Sequence, residues 1–506
     1  MHTKRRSVRA TLSPALLLAL AGCTARGGLN PPPQASNEQY PAIVENAFAD
    51  TTTHPLSTFG LDVDTASYAN VRDLLRRGQL PPADAVRVEE FVNAFPYAAR
   101  PANGEDALAV ASEVQPCPWA ADHWLLRVAV RARAPVVEQA EAPLRLVFLI
   151  DVSGSMDEPD KLPLVKRSLG VLVDALRPQD HVAIVSYSDR AEFPLRHGSG
   201  AQKAAIREAI AGLVAGGGTN GDAGLRAACS LAREMPTDGE VRVVLVTDGD
   251  FNIGARGPEG LRQLLAEQRK ERTRLTVLGC GRGNLKTTNL EAVARAGDGA
   301  YHYLDGIAMA QRLFRSRLQE QLMTVAREAK VQVEFHPRHV ASWRLLGYED
   351  RVLQAREFAD AKADGGEIGP GQCVTALYEL VPRAGAERDG VALRYASAGA
   401  PAVPEVHPDE LLAVAFAWSP PAGGDQITRR HIVQVRDVAA APASHDFLVA
   451  STAAAFALLL RQSAHRGDLD WARLTVLGDR LDGSVVDEHE LIELINQAAR
   501  LARGRS

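Results

Sequence analysis

The run Leu144–Ile150, "LRLVFLI", is apolar at nearly every position and stops abruptly at the polar stretch "DVSGSM", residues 151–156. An apolar run bounded by loop residues predicts a strand buried on both faces. The same texture recurs in "HVAIVSYS" (181–188), "VRVVLVTDG" (241–249), "TRLTVLGCG" (273–281) and "GAYHYLD" (299–305). Between these strands lie segments with apolar residues at helical spacing: 161–176, 201–214, 220–235, 257–272 and 288–297. A long helix is expected from Ala308 to Glu328. Alternating strands and helices predict an α/β, Rossmann-like unit over 143–325, with a mostly parallel sheet and helices on both faces.

The flanks read differently. "NVRDLLRRGQLPP" (70–82) and "RVEEFVNAFPY" (87–97) predict short helices, and "HWLLRVAVRAR" (123–133) alternates like a strand. They define an expected N-terminal unit over 41–135. Past Lys330 the pattern becomes β-rich, with strands expected in 330–337, 343–349, 374–382 and 411–419 of a unit spanning 330–440. The segment 444–506 is helical. Its apolar run Phe447–Leu460 is too short for a membrane span and predicts a buried helix.

In an open α/β sheet, binding occurs beyond the carboxyl ends of the strands. Three loops deliver oxygen-bearing side chains to that edge. They are Asp151, Ser153 and Ser155 after the first strand, Thr219 in "GGGTNGD", and Asp248 in "VVLVTDGD". Five oxygen donors without nitrogen or sulfur suit a hard divalent cation.

The order D-x-S-x-S, Thr, Asp on these strands resembles the metal-ion-dependent adhesion site of von Willebrand factor type A (VWA) domains. The resemblance covers about residues 143–325. It implies that Mg²⁺ or Mn²⁺ is held directly by Ser153 and Ser155, and by Thr219 when a ligand is engaged. Asp151 and Asp248 would act through water or at longer range. The sixth position would take an Asp or Glu carboxylate from a partner protein. Val152, Met156, Asn220 and Phe251 are the expected rim.

The flanking segments 45–97 and 345–380 are similar to the bacterial lipoprotein family related to enterobacterial YfbK. That family commonly shows His where Gln372 stands and Thr where Cys373 stands. The N-terminus agrees with a lipoprotein. "MHTKRRSVRA" is basic, "LSPALLLALAG" is apolar, and "LAGC" resembles a lipobox ending at Cys23. The expectation is a signal peptide over 1–22, lipid on Cys23 and a Gly- and Pro-rich tether over 23–40. Thr24 after the cysteine resembles the pattern sent to the outer membrane, facing the periplasm.

Composition narrows the function classes. A net charge of −5 and a pI near 6.3 argue against nucleic acid as a partner. The five cysteines form no C-x-x-C pair, which speaks against a zinc ribbon or a thioredoxin-like site. The leading expectation is a metal-dependent protein-binding module, not an enzyme. A metal-assisted hydrolase is one alternative, with Asp250 and His302 as the only nearby groups for a base. A scaffold with a structural metal is the other. "LDVDTASY" (61–68) resembles a phosphatase nucleophile motif, but Asp64 or Thr65 is expected to cap the following helix. Asp222 suits a helix's first turn. "GCGRGN" (279–284) lacks a third spaced glycine and is expected to be a loop. "RKERTR" (269–274) is expected to be a solvated helix end.

Overall fold

The structure, a computed structural model, describes residues 38–61, 64–98, 106–134, 143–236, 240–249, 273–282, 286–297, 299–316, 324–360, 365–383, 407–421 and 423–504, with Phe251, Leu265 and Ala363. The expected signal peptide, Cys23, Asp250 and all but Leu265 of the expected 257–272 helix lie outside these residues.

The N-terminal part contributes β1 (Ala49–Asp50), β2 (Leu56–Gly60), α1 (Ala66–Arg76), α2 (Val88–Val92), β3 (Leu108–Pro116) and β4 (Trp124–Ala132). The α/β part follows with β5 (Arg145–Asp151), α3 (Leu162–Ala175), β6 (His181–Tyr187), β7 (Ala191–Ser199), α4 (Lys203–Ala211), α5 (Gly221–Glu234) and β8 (Val241–Thr247). It continues through β9 (Thr273–Cys280), α6 (Thr287–Ala296), β10 (Tyr301–Leu304) and α7 (Ile307–Gln311).

Its sheet runs β10-β9-β8-β5-β6-β7, parallel except for β7. Every residue of β5 is buried. Val147 and Leu149 join one core with Leu225 and Ala228 of α5, whereas Leu146, Phe148 and Ile150 join another with Leu162, Val165 and Leu169 of α3. Alternate side chains of one strand therefore feed two helical layers, which is why the run is apolar throughout. Ala66 and Ala69 of α1 pack into the first of these cores, so the N-terminal helix covers the same sheet.

Strand β7 falls outside the expected elements. It is an antiparallel edge strand, largely exposed, with Pro194 inside it. Edge strands tolerate proline and need no apolar alternation. The helix expected from Ala308 to Glu328 is also corrected. Helix α7 ends at Gln311 and passes into a π-turn over Arg312–Ser316. Residues 326–328 already belong to a strand, β11 (Ala326–Phe335), whose neighbours across the sheet claim its backbone groups.

After β11 come β12 (Val340–Leu346), β13 (Gly366–Ile368), β14 (Cys373–Pro382), β15 (Glu410–Ser419) and β16 (Ile427–Gln434). One sheet runs β1-β12-β14-β4-β3; the other runs β13-β11-β15-β16, with β2 paired to β11. Leu126, Val128 and Val130 of β4 share a core with Val331, Val333 and Val414. The segments expected as an N-terminal unit and as a β-rich extension thus share both sheets.

The chain ends in α8 (His445–Leu460), α9 (Trp471–Gly478) and α10 (Val486–Arg503). Helix α8 is buried almost throughout, against aromatic residues Phe91 and Trp119 among others. Among the described residues no helix is long and apolar enough to cross a membrane.

Buried charges tie these layers together. Arg72 of α1 grips Asp305 with Nε at 2.6 Å and Nη2 at 2.9 Å, and reaches Glu490 of α10 with Nη1 at 2.7 Å. Thr65 stands at the N-cap of α1, but its side chain makes no capping bond. Asp64 does not cap either. Its carboxylate accepts from the backbone N–H of Tyr301 at 2.7 Å and pairs with Arg351 at 3.0 Å, so it links α1 to the α/β sheet.

Candidate metal centre at the carboxyl edge of the parallel sheet

Asp151 is the last residue of β5, and its register partner on β6 is Tyr187. On the other side Ile150 pairs with Val246, so β8 ends beside it with Thr247 and Asp248. Asp151 is fully buried. Its Oδ1 accepts from the backbone N–H of Ser153 at 2.9 Å. Its Oδ2 accepts from the Tyr187 hydroxyl at 3.1 Å and from Thr247 Oγ1 at 3.0 Å. Burial pushes its carboxyl up from the usual range, and the bonds from Ser153 and Thr247 pull it back. Burial also holds the Tyr187 phenol far above its ordinary value, so it stays a donor to Asp151.

The loop after Asp151 turns so that the hydroxyls of Ser153 and Ser155 stand 3.1 Å apart. It is pinned to the second loop by two backbone bonds. Gly154 N donates to Gly217 O at 3.0 Å, and Gly216 N donates to Val152 O at 2.8 Å. Gly217 adopts φ +84°, and an added Cβ there would come within 2.6 Å of the Asp189 carboxylate. A glycine is required on both counts. Thr219, half-buried, follows Gly217 by two residues on this pinned loop. Asn220 N–H donates to Ser188 O at 2.7 Å, and its side chain caps α5 by accepting from Ala223 N. Asp222 lies in the first turn of α5 and pairs with Arg226 at 3.0 Å.

Asp248 is buried, and its Oδ2 meets Lys161 Nζ at 3.0 Å. The same ammonium donates to Ser155 O at 2.8 Å. Lys161 thus joins the third loop to the first. Sequence reasoning passed over Lys161, Tyr187 and Thr247. A signal existed for each: Lys161 opens the helix after the serine loop, Tyr187 ends the neighbouring strand, and Thr247 directly precedes Asp248.

Asp151, Ser153, Ser155 and Asp248 are therefore connected through hydrogen bonds, and Thr219 lies on the adjoining loop. The donors are all oxygen, with only two carboxylates, which suits a hard cation that keeps part of its charge. No group of three or more His, Cys, Asp or Glu suited to a metal occurs among the described residues. Any cation here depends on hydroxyls. The rim expectation needs correcting. Val152, Met156 and Phe251 are buried, with Met156 in the α3 core, and of the four only Asn220 is exposed. Val214, on the same loop two residues before Gly216, is 78 % accessible. His302 belongs to β10 and borders a separate cavity with Tyr68 and Arg312.

Comparison with known proteins fits this architecture. Residues 146–316 match the von Willebrand factor type A domain, residues 34–127 match a family described as von Willebrand factor, and residues 320–501 match the C-terminal region of YfbK. "Uncharacterized protein YfbK" of Escherichia coli (strain K12) is 36% identical over 474 residues, covering 91% of this chain and 81% of that protein. The chain belongs to the YfbK family. It carries a VWA domain, a module that typically mediates protein–protein interaction. "Uncharacterized protein sll0103" of Synechocystis is 30% identical over 218 residues, 43% of this chain and 50% of that protein. The solved "von Willebrand factor type A from Catenulispora acidiphila" aligns with a TM-score of 0.43 at 16% identity, covering 77% of this chain and 89% of that one.

Proposed function

We propose that this YfbK-family protein is a lipid-anchored envelope protein that captures an acidic side chain of a partner protein at a divalent cation. Mg²⁺ or Mn²⁺ would be held by Asp151, Ser153, Ser155, Thr219 and Asp248. The observation that carries the reading is the charge balance of the cluster. Two carboxylates face the site, and one of them is already ion-paired to the Lys161 ammonium at 3.0 Å. Bound there, the cation supplies a Lewis-acidic centre for one carboxylate oxygen. The chain's own residues then set how much charge remains. Ser153 and Ser155 donate neutral oxygens, Asp151 is fixed by Tyr187 and Thr247, and Lys161 offsets Asp248. The site keeps a positive excess, which favours an incoming Asp or Glu. The loop from Val214 to Asn220, exposed except at Ala215 and Thr219, would offer the contact rim around it.

Lys161→Met tests this balance. Removing a unit positive charge beside a doubly charged ion should tighten Mg²⁺ binding by about tenfold or more. Isothermal titration reads it directly, and unchanged or weaker Mg²⁺ binding would show that Lys161 does not offset Asp248.

The proposed location is the outer membrane facing the periplasm, with lipid on Cys23. Several acyl chains hold a protein on a membrane stably, whereas one holds weakly. Cys23→Ala should yield a soluble or unprocessed form on fractionation. A processed variant that still sediments with membranes would exclude the anchor.

A further inference from the structure

We infer that the junction of the N-terminal, VWA and C-terminal regions is a proton-operated latch, whose buried carboxylates take up a proton from solvent on mild acidification and thereby tighten the three regions on one another. Arg87, just before α2, stands at its centre. Its Nη1 meets Asp350 at 2.7 Å, its Nη2 meets Glu291 of α6 at 3.2 Å, and its Nε lies 3.7 Å from Glu90 of α2. Glu89 is 3.9 Å from Nη1. One guanidinium thus faces four carboxylates drawn from all three regions. Asp350 is half-exposed, whereas Glu89, Glu90 and Glu291 are buried.

The other cations nearby do not even this balance. Arg351 is matched by Asp64 at 3.0 Å and Arg461 by Glu349 at 2.6 Å. Arg295 reaches the backbone oxygen of Asp350 at 3.4 Å. Carboxylates therefore outnumber guanidinium groups at the junction, in a place where water cannot solvate the excess. Glu89 Oε2 is buried and has no hydrogen-bond partner. It lies against the C-terminal region, since a Cβ added at Gly347, φ +76°, would come within 2.3 Å of it. A cavity of about 20 Å³ bordered by Arg87, Glu89, Glu90 and Glu291 has room for about one water.

Buried like charges favour the protonated form. Burial holds the Glu90 carboxyl well above the usual range, the Asp64, Glu291 and Glu89 charges add to this, and Arg87 opposes it. Burial also raises Glu89, with Glu349 adding to it and Arg87 opposing. It raises Glu291 as well, against Arg87, Arg351 and Arg295 and with Asp350. Tyr301 of β10 faces the same carboxylates, and burial keeps its phenol neutral. A carboxyl held above its unfolded value binds its proton more tightly in the folded chain. Its contribution to stability therefore falls as pH rises through the folded value and is recovered as pH drops toward the unfolded one. Carboxylates in ordinary ion pairs show the opposite sign. One oxygen of Glu90 is already engaged, because its Oε2 accepts from the backbone N–H of Ser67 in α1 at 2.8 Å. The Arg87 contact to Oε1 is longer than a hydrogen bond, so that oxygen is the one to carry the proton.

Denaturant unfolding of the full chain in EDTA, wild type against Glu90→Gln, from about pH 8 to about pH 5.5 tests the latch. The amide keeps the shape and an acceptor for the Ser67 N–H but carries no charge. At about pH 8 Glu90→Gln is expected to be the more stable protein, by at least about tenfold in the unfolding equilibrium constant, and the difference is expected to close toward about pH 5.5 as wild type takes up the proton. Glu89→Gln, run in parallel, should behave the same way and serves if Glu90→Gln does not fold. Hydrogen exchange of the α2 and α6 amides, corrected for its intrinsic pH dependence, locates the effect. In wild type both helices should be better protected at about pH 5.5 than at about pH 8, and in Glu90→Gln equally at both. The latch is refuted if neither variant gains stability at about pH 8, if the gain does not change with pH, or if protection of α2 and α6 in wild type does not rise on acidification.

Discussion

Asp151→Ala is expected to abolish the Mg²⁺-dependent rise in stability that the wild-type chain should show. A ligand that binds only the folded state stabilises it by mass action, about 2.7 kcal/mol at a hundredfold excess over Kd. Asp151 is the residue on which the cluster's geometry converges. Its two oxygens accept from Ser153 N, Tyr187 and Thr247, so it fixes the serine loop and the end of β8 at once. Removing it deletes one of two carboxylates and frees the loop that presents Ser153 and Ser155. The variant should also be less stable in EDTA, because Tyr187 and Thr247 lose a buried acceptor. The decisive readout is therefore the difference between Mg²⁺ and EDTA within each protein. Denaturant unfolding in both conditions gives it, and an undiminished difference in Asp151→Ala would remove the assignment.

Asp305→Ala should cost about 3–5 kcal/mol, the usual penalty for stripping one partner from a buried ion pair. Arg72 and Asp305 are each only 2% exposed, and their two bonds form a bidentate pair. Without Asp305 the guanidinium would keep Glu490 alone and remain buried. The pair joins α1 to the end of β10, and Glu490 adds α10, so the loss should loosen the N-terminal and C-terminal helices from the α/β sheet. Replacing both residues, Arg72→Met with Asp305→Leu, should recover most of the loss, because the buried pair is gone as a whole and Glu490 keeps Arg76 at 2.8 Å. Denaturant midpoints of the three proteins check both statements. A loss below about 1 kcal/mol in Asp305→Ala would mean that the pair behaves like a solvated one.

The parallel sheet was legible because its strands are buried on both faces. A run such as Leu146–Ile150 has no polar position to confuse with a loop, and Asp151 marks its end sharply. The oxygen donors were legible for the same reason, since each follows such a strand or precedes a helix. The failures share another cause. Strand β7 and residues 326–328 take their conformation from partners across a sheet, and pairing leaves little trace in local apolar spacing. Met156 looked like a rim residue by its place after Ser155, but the 3₁₀ turn at Gly154–Met156 turns it into the α3 core. Lys161 escaped notice because its role needs the third loop, 87 residues away, to be in place. Asp64 likewise satisfies a backbone group 237 residues on instead of capping its own helix.

The most direct test of metal-dependent capture is recovery of envelope proteins on the immobilised full-length chain, in Mg²⁺ and in EDTA, with wild type, Thr219→Ala and Asp151→Ala. The account predicts a partner retained by wild type in Mg²⁺ and released by EDTA. It predicts loss of that partner from Asp151→Ala, and several-fold weaker recovery on Thr219→Ala while Mg²⁺ binding, titrated separately, changes less. Equal recovery in Mg²⁺ and EDTA across all three proteins would contradict it.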